Sequence, residues 1–329
     1  MKKYRWGILG TGKIANRFAE ALNNIPNEAE FAAVGSRSQE TADKFAKKYN
    51  ATKTYKGYEA LAADPEIDII YIGTPGAFHH QDVTMALESG KHVLCEKALT
   101  LNATEAKSII DLARSKKRFL MEAMWTRFFP LHVKIRELVD QGAIGDVRGI
   151  NTNFCATAPP GMTNRFWDIN LGASTLLDIG SYGISLASSL FGKPEEAIGL
   201  AYMGEAGFDY QSSCVLKYGG GRIATVMTSF TSVDVKTAVI FGTKGKIEID
   251  DPWYKPTSMT LFQDGESPKP MEFPLDGFNG YEYEIREVIA CIEKGDTEST
   301  IMPLDESLQE METMDSLRAQ WGFKFPMEQ

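Results

Sequence analysis

Three side chains in this sequence have the types and the spacing needed to move a proton: Lys97, Asp178 and Tyr182. Lys97 directly follows the predicted buried strand 92–96, which is an unusual place for a charge without a partner, and Glu96 is the candidate partner. Asp178 and Tyr182 are four residues apart in an otherwise apolar helical pattern, so we expect them on one helix face. An acid, a phenol and an amine together can exchange the proton of a hydroxyl substrate. The structural alternative is a strand-end lysine, a carboxylate favoured by a helix N-terminus and a half-buried tyrosine.

A glycine-rich segment, residues 10–15, predicts a dinucleotide site. A short apolar run precedes it and a helical pattern follows, which gives the strand, turn and helix that such a site requires. Gly10 allows the tight turn, Gly12 lets the backbone approach a pyrophosphate, and Ala15 lets the helix pack closely on the strand. The free N–H groups of the helix then face the phosphates. The candidate cofactor residues here are Gly10, Thr11, Gly12, Lys13 and Ile14.

The tip of the next predicted strand, 31–35, indicates which dinucleotide is bound. An acidic residue at this spacing would hold the ribose 2′-hydroxyl of NAD, but the sequence has Ser36, Arg37 and Ser38. Arginine can pair with a 2′-phosphate and stack on adenine. We therefore expect NADP, with NAD possible, against the alternative of a solvated arginine in a polar loop.

Strand and helix patterns alternate up to residue 122. This alternation predicts a doubly wound parallel sheet, the Rossmann fold, over residues 1–122. Ligands of such sheets bind beyond the carboxyl ends of the strands, so the strand tips should converge on one crevice. The further cofactor candidates at these tips are Thr74, Pro75, His79, Glu96 and Lys97.

Beyond residue 122 the pattern changes to successive strands with glycine-rich turns, interrupted by one helix over 174–190. Two amphipathic helices, 281–293 and 303–319, end the chain. We expect a second α/β domain, 123–329, with a large, open, mainly antiparallel sheet, and leave open whether the last helix returns to the first domain. An uncovered apolar sheet face predicts a homodimer.

Aromatic and arginine residues are concentrated in the predicted loops around and within the second domain. Aromatic walls with a few polar groups suit a small, ring-shaped substrate, although most aromatic residues in any sequence belong to the core. The candidate substrate residues are Trp125, Arg127, Phe154, Arg165, Trp167, Trp253 and Phe278.

Composition narrows the class of protein. The 329 residues carry a net charge of −9, which disfavours nucleic acid and anionic membranes as partners. No segment has transmembrane length. The cysteines are far apart, which predicts no metal site, no redox dithiol and a reducing, cytoplasmic location.

Four motifs in order, at 10–15, 74–79, 96–97 and 178–182, resemble those of the Gfo/Idh/MocA oxidoreductases. Within that family, segment 121–130 resembles the branch that contains dimeric dihydrodiol dehydrogenase and NADP-dependent D-xylose 1-dehydrogenase. The resemblance implies a Rossmann domain, an open-sheet domain often used for dimerisation, NADP, and Lys97 and Tyr182 as the catalytic pair. Two positions depart from the family pattern: its usual Glu-Lys-Pro has Ala98 in place of proline, and Gly76 stands where asparagine is often found.

These observations predict an NADP-dependent oxidoreductase that acts on a sugar or a cyclic vicinal diol. Hydride would pass between the carbinol carbon and the nicotinamide, while Tyr182, assisted by Lys97 and oriented by Asp178, exchanges the hydroxyl proton. A non-catalytic NADP-binding regulator is the alternative, and the presence of both Lys97 and Tyr182 argues against it. A purely structural α/β protein is a third possibility, which Arg37 makes less attractive.

Overall fold

The computed structural model of the chain describes residues 2–157, 165–275 and 277–328. In chain order its elements are β1 Tyr4–Leu9, α1 Lys13–Asn24, β2 Ala29–Ser36, α2 Gln39–Tyr49, β3 Lys53–Lys56, α3 Glu59–Ala62, β4 Ile69–Ile72, α4 His79–Glu88, β5 His92–Glu96, α5 Ala103–Lys116, β6 Leu120–Ala123, α6 Pro130–Asp140, β7 Val147–Cys155, α7 Ser181–Phe191, β8 Glu196–Met203, β9 Asp209–Tyr218, β10 Arg222–Ser229, β11 Val235–Gly242, β12 Gly245–Ile249, β13 Ser258–Gln263, β14 Lys269–Glu272, α8 Tyr281–Lys294 and α9 Leu304–Gln320. A π-helical turn, Leu176–Gly180, leads directly into α7.

The first compact unit comprises Met1–Trp125 and Asp276–Ser307. Its six strands run parallel in the order β3-β2-β1-β4-β5-β6. The strands are nearly continuous apolar runs because helices cover both faces of such a sheet, and Ile69–Ile72 is buried throughout. The strand order reverses between β1 and β4, which is where a doubly wound sheet opens its ligand crevice. The predicted Rossmann fold is confirmed.

Helix α8 belongs to this first unit, whereas the division at residue 122 placed it with the second domain. Arg286 of α8 forms an ion pair with Glu28 at 2.7 Å. Asn24, at the end of α1, donates to Glu282 at 2.7 Å. These contacts join residues about 258 positions apart in the chain, so the local sequence pattern carries no sign of them.

The second compact unit comprises Thr126–Leu275 and Leu308–Gln329. Its eight strands are ordered β14-β13-β12-β11-β7-β10-β9-β8. The neighbours are antiparallel, except that β7 and β10 are parallel. The predicted large, mainly antiparallel sheet is confirmed. Strand β14 was not predicted, because its four residues are short for a strand and include a proline.

Helix α7 packs very closely on this sheet. A Cβ atom at Gly183 would lie 2.5 Å from Thr152 Oγ1 and 2.9 Å from a methyl group of Val226. The predicted regular helix over 174–190 is interrupted, since the Ser181 N–H bonds to Leu176 O, five residues back. Single π-turns of this kind occur frequently at functional sites. Among the described residues, no helix has the length and apolar character needed to cross a membrane.

Candidate active site

The tips of β1, β2 and β4 meet at the glycine-rich turn. The Gly10 N–H donates to Gly35 O and the Gly73 N–H donates to Leu9 O, each at 3.0 Å. Gly10 has φ +98°, and a Cβ there would lie 3.1 Å from Gly73 O. The backbone conformation at Gly10 and the nearby Gly73 carbonyl therefore require a glycine at the first position of the motif.

No neighbouring atom of the described chain requires a glycine at the second position of the motif, Gly12. Close approach of a ligand to the backbone would explain it. Gly12 is the N-cap of α1, and a Cβ at this position would meet nothing within 4 Å. No side chain caps the helix and its first turn carries no acidic residue. Thr11 and Ile14 are half-buried, and Lys13 is exposed. The helix N–H groups are thus available to an anion, as the pyrophosphate of a dinucleotide requires.

Arg37 is the cationic group at the tip of β2. It is exposed, and within the described part of the chain no carboxylate pairs with it. Ser36 is turned inward, with its hydroxyl 2.6 Å from that of Thr41, and Ser38 is the N-cap of α2. Burial raises the pKa of Tyr58, and Arg37 is among the charges that act on that phenol. Tyr58 is therefore within electrostatic range of Arg37 and is a candidate residue of this site that the sequence did not reveal.

Loop residues after β4 are linked to the loop after β5. The Thr74 hydroxyl donates to Asp82 at 2.6 Å, and burial raises the pKa of Asp82 to about 6. Pro75 precedes a short 3-10 turn that leads into α4. His79 is 2 % exposed, with Nε2 2.9 Å from Thr74 O and Nδ1 3.0 Å from Ala98 O. The two ring nitrogens of His79 thus join the two loops, and the cofactor contact expected of His79 stays a prediction.

Lys97 is half-buried at the carboxyl end of β5. The preceding Glu96 accepts a hydrogen bond from the Tyr71 hydroxyl at 2.5 Å, and burial together with Glu96 raises the pKa of Tyr71 well above its usual value. On the other side, the Leu99 N–H donates to Glu122 at 3.0 Å. The Lys97–Ala98 peptide bond is cis. The backbone around Lys97 is therefore held by side chains on neighbouring strands.

In the second unit, Tyr182 lies among aromatic rings. Its ring centre is 5.7 Å from that of Phe154 and 5.6 Å from that of Tyr254, and Phe154 stacks on Tyr254 at 4.5 Å. Asp178 lies inside the π-turn and is 5 % exposed. A phenol with a buried carboxyl group one turn away can exchange a proton next to an apolar, ring-shaped surface.

Arg127 lies buried in a polar contact of the second unit. Its side chain is 3 % exposed and forms an ion pair with Glu310 at 2.7 Å. It also donates to the Ser185 hydroxyl and carbonyl at 2.7 and 2.9 Å. These bonds engage the guanidinium between α7 and α9, and the substrate contact expected of Arg127 stays a prediction.

The tryptophans predicted to face substrate all contact other residues of their own unit, and their substrate role stays a prediction. Trp253 is fully buried and its indole donates to Asn153 O at 3.0 Å; the neighbouring Tyr254 joins the Tyr182 cluster instead. Trp125 stacks on Tyr281 at 4.5 Å in the first unit. Trp167 packs edge-on against Tyr210, in a separate aromatic cluster.

Two further candidates remain. Phe278 is half-buried in the first unit, beneath the Arg286 guanidinium at 5.1 Å. Arg165 begins a 3-10 turn, and its side chain lies outside the described part of the structure. Across the described residues, no group of His, Cys, Asp or Glu side chains is arranged to hold a metal ion.

Comparison with known proteins agrees with this geometry. Residues 4–124 match the model of the oxidoreductase family with an NAD-binding Rossmann fold, and residues 132–248 match the GFO/IDH/MocA C-terminal domain. A trans-1,2-dihydrobenzene-1,2-diol dehydrogenase from Xenopus tropicalis is 37% identical, over 98% of this chain and 99% of its own. The Homo sapiens protein of the same name is 34% identical over 98% of both chains.

Solved structures show the same fold. A 3-ketoreductase from Actinomadura kijaniata, in complex with NADP and TDP-benzene, superimposes with a TM-score of 0.86 at 23% identity, over 97% of this chain and 98% of the other. A levoglucosan dehydrogenase in complex with NADH and levoglucosan gives 0.90 at 17% identity, over 98% of both chains. The open helix N-terminus at Gly12 fits the nicotinamide dinucleotide that these domains bind. This chain is an NAD(P)-binding oxidoreductase, and with both domain models matched and relatives similar along nearly its whole length, it belongs to the Gfo/Idh/MocA family.

Proposed function

We propose that this oxidoreductase is an NADP-dependent dehydrogenase of a cyclic vicinal diol, such as a trans-dihydrodiol, or of a sugar. The observation that carries the proposal is the aromatic cluster around Tyr182, where the phenol lies beside the stacked rings of Phe154 and Tyr254. Flat apolar surfaces with a single proton-exchanging hydroxyl suit a ring that carries hydroxyl groups. The similarity to trans-1,2-dihydrobenzene-1,2-diol dehydrogenases supports the diol. A non-catalytic regulator would have no need of such a phenol.

In the proposed mechanism the protein handles the proton. When bound, NADP supplies the hydride acceptor. Tyr182 takes the hydroxyl proton as the carbinol carbon loses hydride, so that a carbonyl forms. Lys97 assists Tyr182 by its positive charge, which favours the phenolate. Asp178 orients Tyr182 from within the π-turn.

We propose that NADP is preferred to NAD because of Arg37. This guanidinium is exposed and not committed to any carboxylate of the described chain, and a 2′-phosphate is the partner that it fits. Gly10, Gly12 and the first turn of α1 would hold the pyrophosphate of either dinucleotide. Thr74 and Glu96 would contribute through the loops that they fix.

The second unit is proposed to form a homodimer through the uncovered face of its sheet. On β8 the side chains of Ile198, Leu200 and Tyr202 are 53%, 84% and 63% exposed. The opposite face of β8 packs against α9, since a Cβ at Gly199 would lie 3.2 Å from the Leu317 side chain. The free edge of β8 is also covered, because Trp321 donates to Gly199 O and Gln320 to Ala197 O. The uncovered face continues across Val215 on β9, which pairs with Ile198. A row of exposed apolar side chains on a wide sheet is typical of an interface.

Oligomeric state tests this interface. We expect light scattering to give twice the 36.5 kDa of one chain. Leu200→Glu should give the mass of one chain, because it places a charge in an apolar contact. Val133→Glu makes the same change at another exposed apolar residue, on α6, and should leave the dimer intact. A wild-type protein with the mass of one chain would refute the proposal.

A reducing, cytoplasmic compartment is also proposed. All four cysteines are free and buried, and burial raises the pKa values of Cys214 and Cys291 to about 12. Such thiols are inert and form no structural disulfide. Localisation of the tagged full-length chain by fractionation tests this placement.

The experiment that tests the enzymatic proposal is a screen of NADP reduction with trans-dihydrodiols, aldoses and inositols. Tyr182→Phe keeps the ring and removes the hydroxyl, so turnover of the best substrate should fall by about 10²- to 10⁴-fold, while NADPH still binds. Tyr218→Phe removes a phenol that is 1 % exposed on β9 of the same unit and should retain turnover. Failure of every diol and sugar would overturn the substrate class, and full turnover by Tyr182→Phe would overturn the role of the phenol.

A further inference from the structure

A buried polar network lies beneath the π-turn that carries Asp178. Thr175 donates to Asp209 Oδ2 at 2.6 Å, and the Leu176 N–H donates to the same oxygen at 2.8 Å. Thr228 donates to the Thr175 hydroxyl at 3.2 Å, and the Thr228 hydroxyl lies 2.9 Å from that of Ser212. Three of these four side chains are fully buried, and the fourth, Ser212, is 2 % exposed. Such a network is costly to bury, so its contacts need a reason.

The network connects the sheet to the first residues of the turn. Asp209 is the first residue of β9, and Thr228 and Ser212 are direct partners on β10 and β9. Ser174 supplies the other cap, because its hydroxyl accepts from the Leu177 N–H at 3.2 Å. Two of the N–H groups that a helix leaves unsatisfied at its start are therefore fixed, one by a local serine and one by a distant carboxylate.

Leu176 transmits this anchoring to Tyr182. Its N–H is held by Asp209, and its carbonyl accepts the N–H of Ser181, which closes the π-turn. Tyr182 is the next residue, and its ring lies beside the stacked rings of Phe154 and Tyr254. A chain of hydrogen bonds thus runs from the sheet through Leu176 to Ser181, the residue before Tyr182.

The charge of Asp209 is suited to this task. Burial raises the pKa of Asp209 to about 6, against the hydrogen bonds from Ser174, Thr175 and Leu176 that favour the ionised form. Two donors converge on one of its oxygens, and an acceptor at the start of a helix is favoured by the helix dipole. A neutral or apolar residue of smaller size would leave the Leu176 N–H without this partner inside the protein.

We propose that Asp209, acting through Thr175 and the amide of Leu176, is a positioning residue that fixes the π-turn and thereby the Tyr182 hydroxyl. This proposal rests on the proposed function, in which Tyr182 exchanges the substrate proton. Asp209 touches neither substrate nor cofactor in this scheme. It acts only through the geometry of the segment 174–182.

Turnover and cofactor affinity separate a positioning role from a merely structural one. Thr175→Val and Asp209→Ala should each lower kcat by about 10- to 100-fold, the loss expected when a reacting group is misplaced by about 1 Å. NADPH affinity, measured by fluorescence titration, should stay within about twofold, since the network lies in the other unit from the dinucleotide site. Thr175→Ser restores the hydroxyl and should restore kcat.

The control is a contact of the same kind elsewhere. Ser299 is 1 % exposed and donates to Glu287 at 2.6 Å in the first unit. Ser299→Ala should lower the melting temperature and leave kcat unchanged. If Thr175→Val also changes only the melting temperature, Asp209 is a structural residue and the proposal is overturned.

A double variant and an exchange measurement distinguish this proposal from the proposed function. Thr175→Val should cause no further loss in a Tyr182→Phe background, because both act on one group. Hydrogen exchange of the amides at 176–181 should accelerate in Asp209→Ala, while other segments stay protected. Unchanged exchange would overturn the positioning role even if no substrate is found. If the wild type oxidises no diol or sugar, the proposed function fails, and the exchange result alone decides whether Asp209 holds the turn.

Discussion

Arg37→Ala should change cofactor choice more than any other single substitution. The guanidinium is exposed at the tip of β2 and has no carboxylate partner in the described chain, so the whole of its interaction is available to a ligand. Charge-assisted hydrogen bonds of this kind contribute about 1.5 to 3 kcal/mol, which corresponds to about a 10- to 150-fold rise in the Kd for NADPH. NADH has no 2′-phosphate, so its Kd should change by less than about twofold.

Fluorescence titration of both dinucleotides measures the effect. Arg17→Ala is the matched control, because it removes the same charge from an exposed site on α1 of the same unit. It should leave the ratio of the NADH Kd to the NADPH Kd unchanged. Raising the salt concentration should lower this ratio in the wild type and not in Arg37→Ala, since exposed ion pairs are screened by salt. Equal losses of NADPH and NADH affinity in Arg37→Ala would refute the assignment of Arg37 to the 2′-phosphate.

Three further predictions concern catalysis and stability. Lys97→Met and Tyr182→Phe should each lower turnover. The double variant should lose much less than the product of the single losses, because the two groups would act as a unit. If steady-state assays give a loss equal to that product, Lys97 and Tyr182 act independently. Glu310→Gln leaves the buried Arg127 charge without its carboxylate partner and should lower the free energy of unfolding by about 3 to 5 kcal/mol. Lys44→Ala breaks an exposed pair with Glu40 and should change that free energy hardly at all. Urea denaturation measures the free energy of unfolding of both variants. Burial raises the pKa of Asp82 from 3.8 to about 6, so between about pH 4 and 6 the folded chain keeps a proton that the unfolded chain has lost. The free energy of unfolding relative to Asp82→Asn should therefore fall by about 3 kcal/mol across that window and stay level above it. A rise of this free energy with pH would contradict the raised pKa of Asp82.

Local chemistry made much of the first unit predictable. Gly10 needs its left-handed conformation for the turn after β1, and Asn102 caps α5 by accepting from the Glu105 N–H at 2.9 Å. Both features are written in neighbouring residues. Arg37 could be named as a candidate cofactor residue because its position relative to β1 follows from the repeat of the βα unit.

Features that depend on distant partners were not predictable. Arg127 resembles a ligand residue in the sequence, and only the fold brings it to Glu310, 183 residues away. The π-turn has the apolar pattern of an ordinary helix, and its anchor, Asp209, comes from another strand. Trp253 and Tyr254 are adjacent, and the register of the chain against β7 decides which of them is buried.

The close packing at Gly183 determines how deep the Tyr182 phenol sits. Any side chain at 183 would have to lift α7 by about 1 Å from Thr152 and Val226, and displacements of this size can reduce a reaction about 100-fold. Phe154 lies on the same strand as Thr152, so the phenol would rise relative to the ring that it faces. The distance from the sheet to the Tyr182 hydroxyl, which is proposed to react, therefore depends on this contact. Changes in the size of Thr152 or Val226 would adjust that distance, and with it the thickness of substrate that fits, without any change in the residues that touch the substrate.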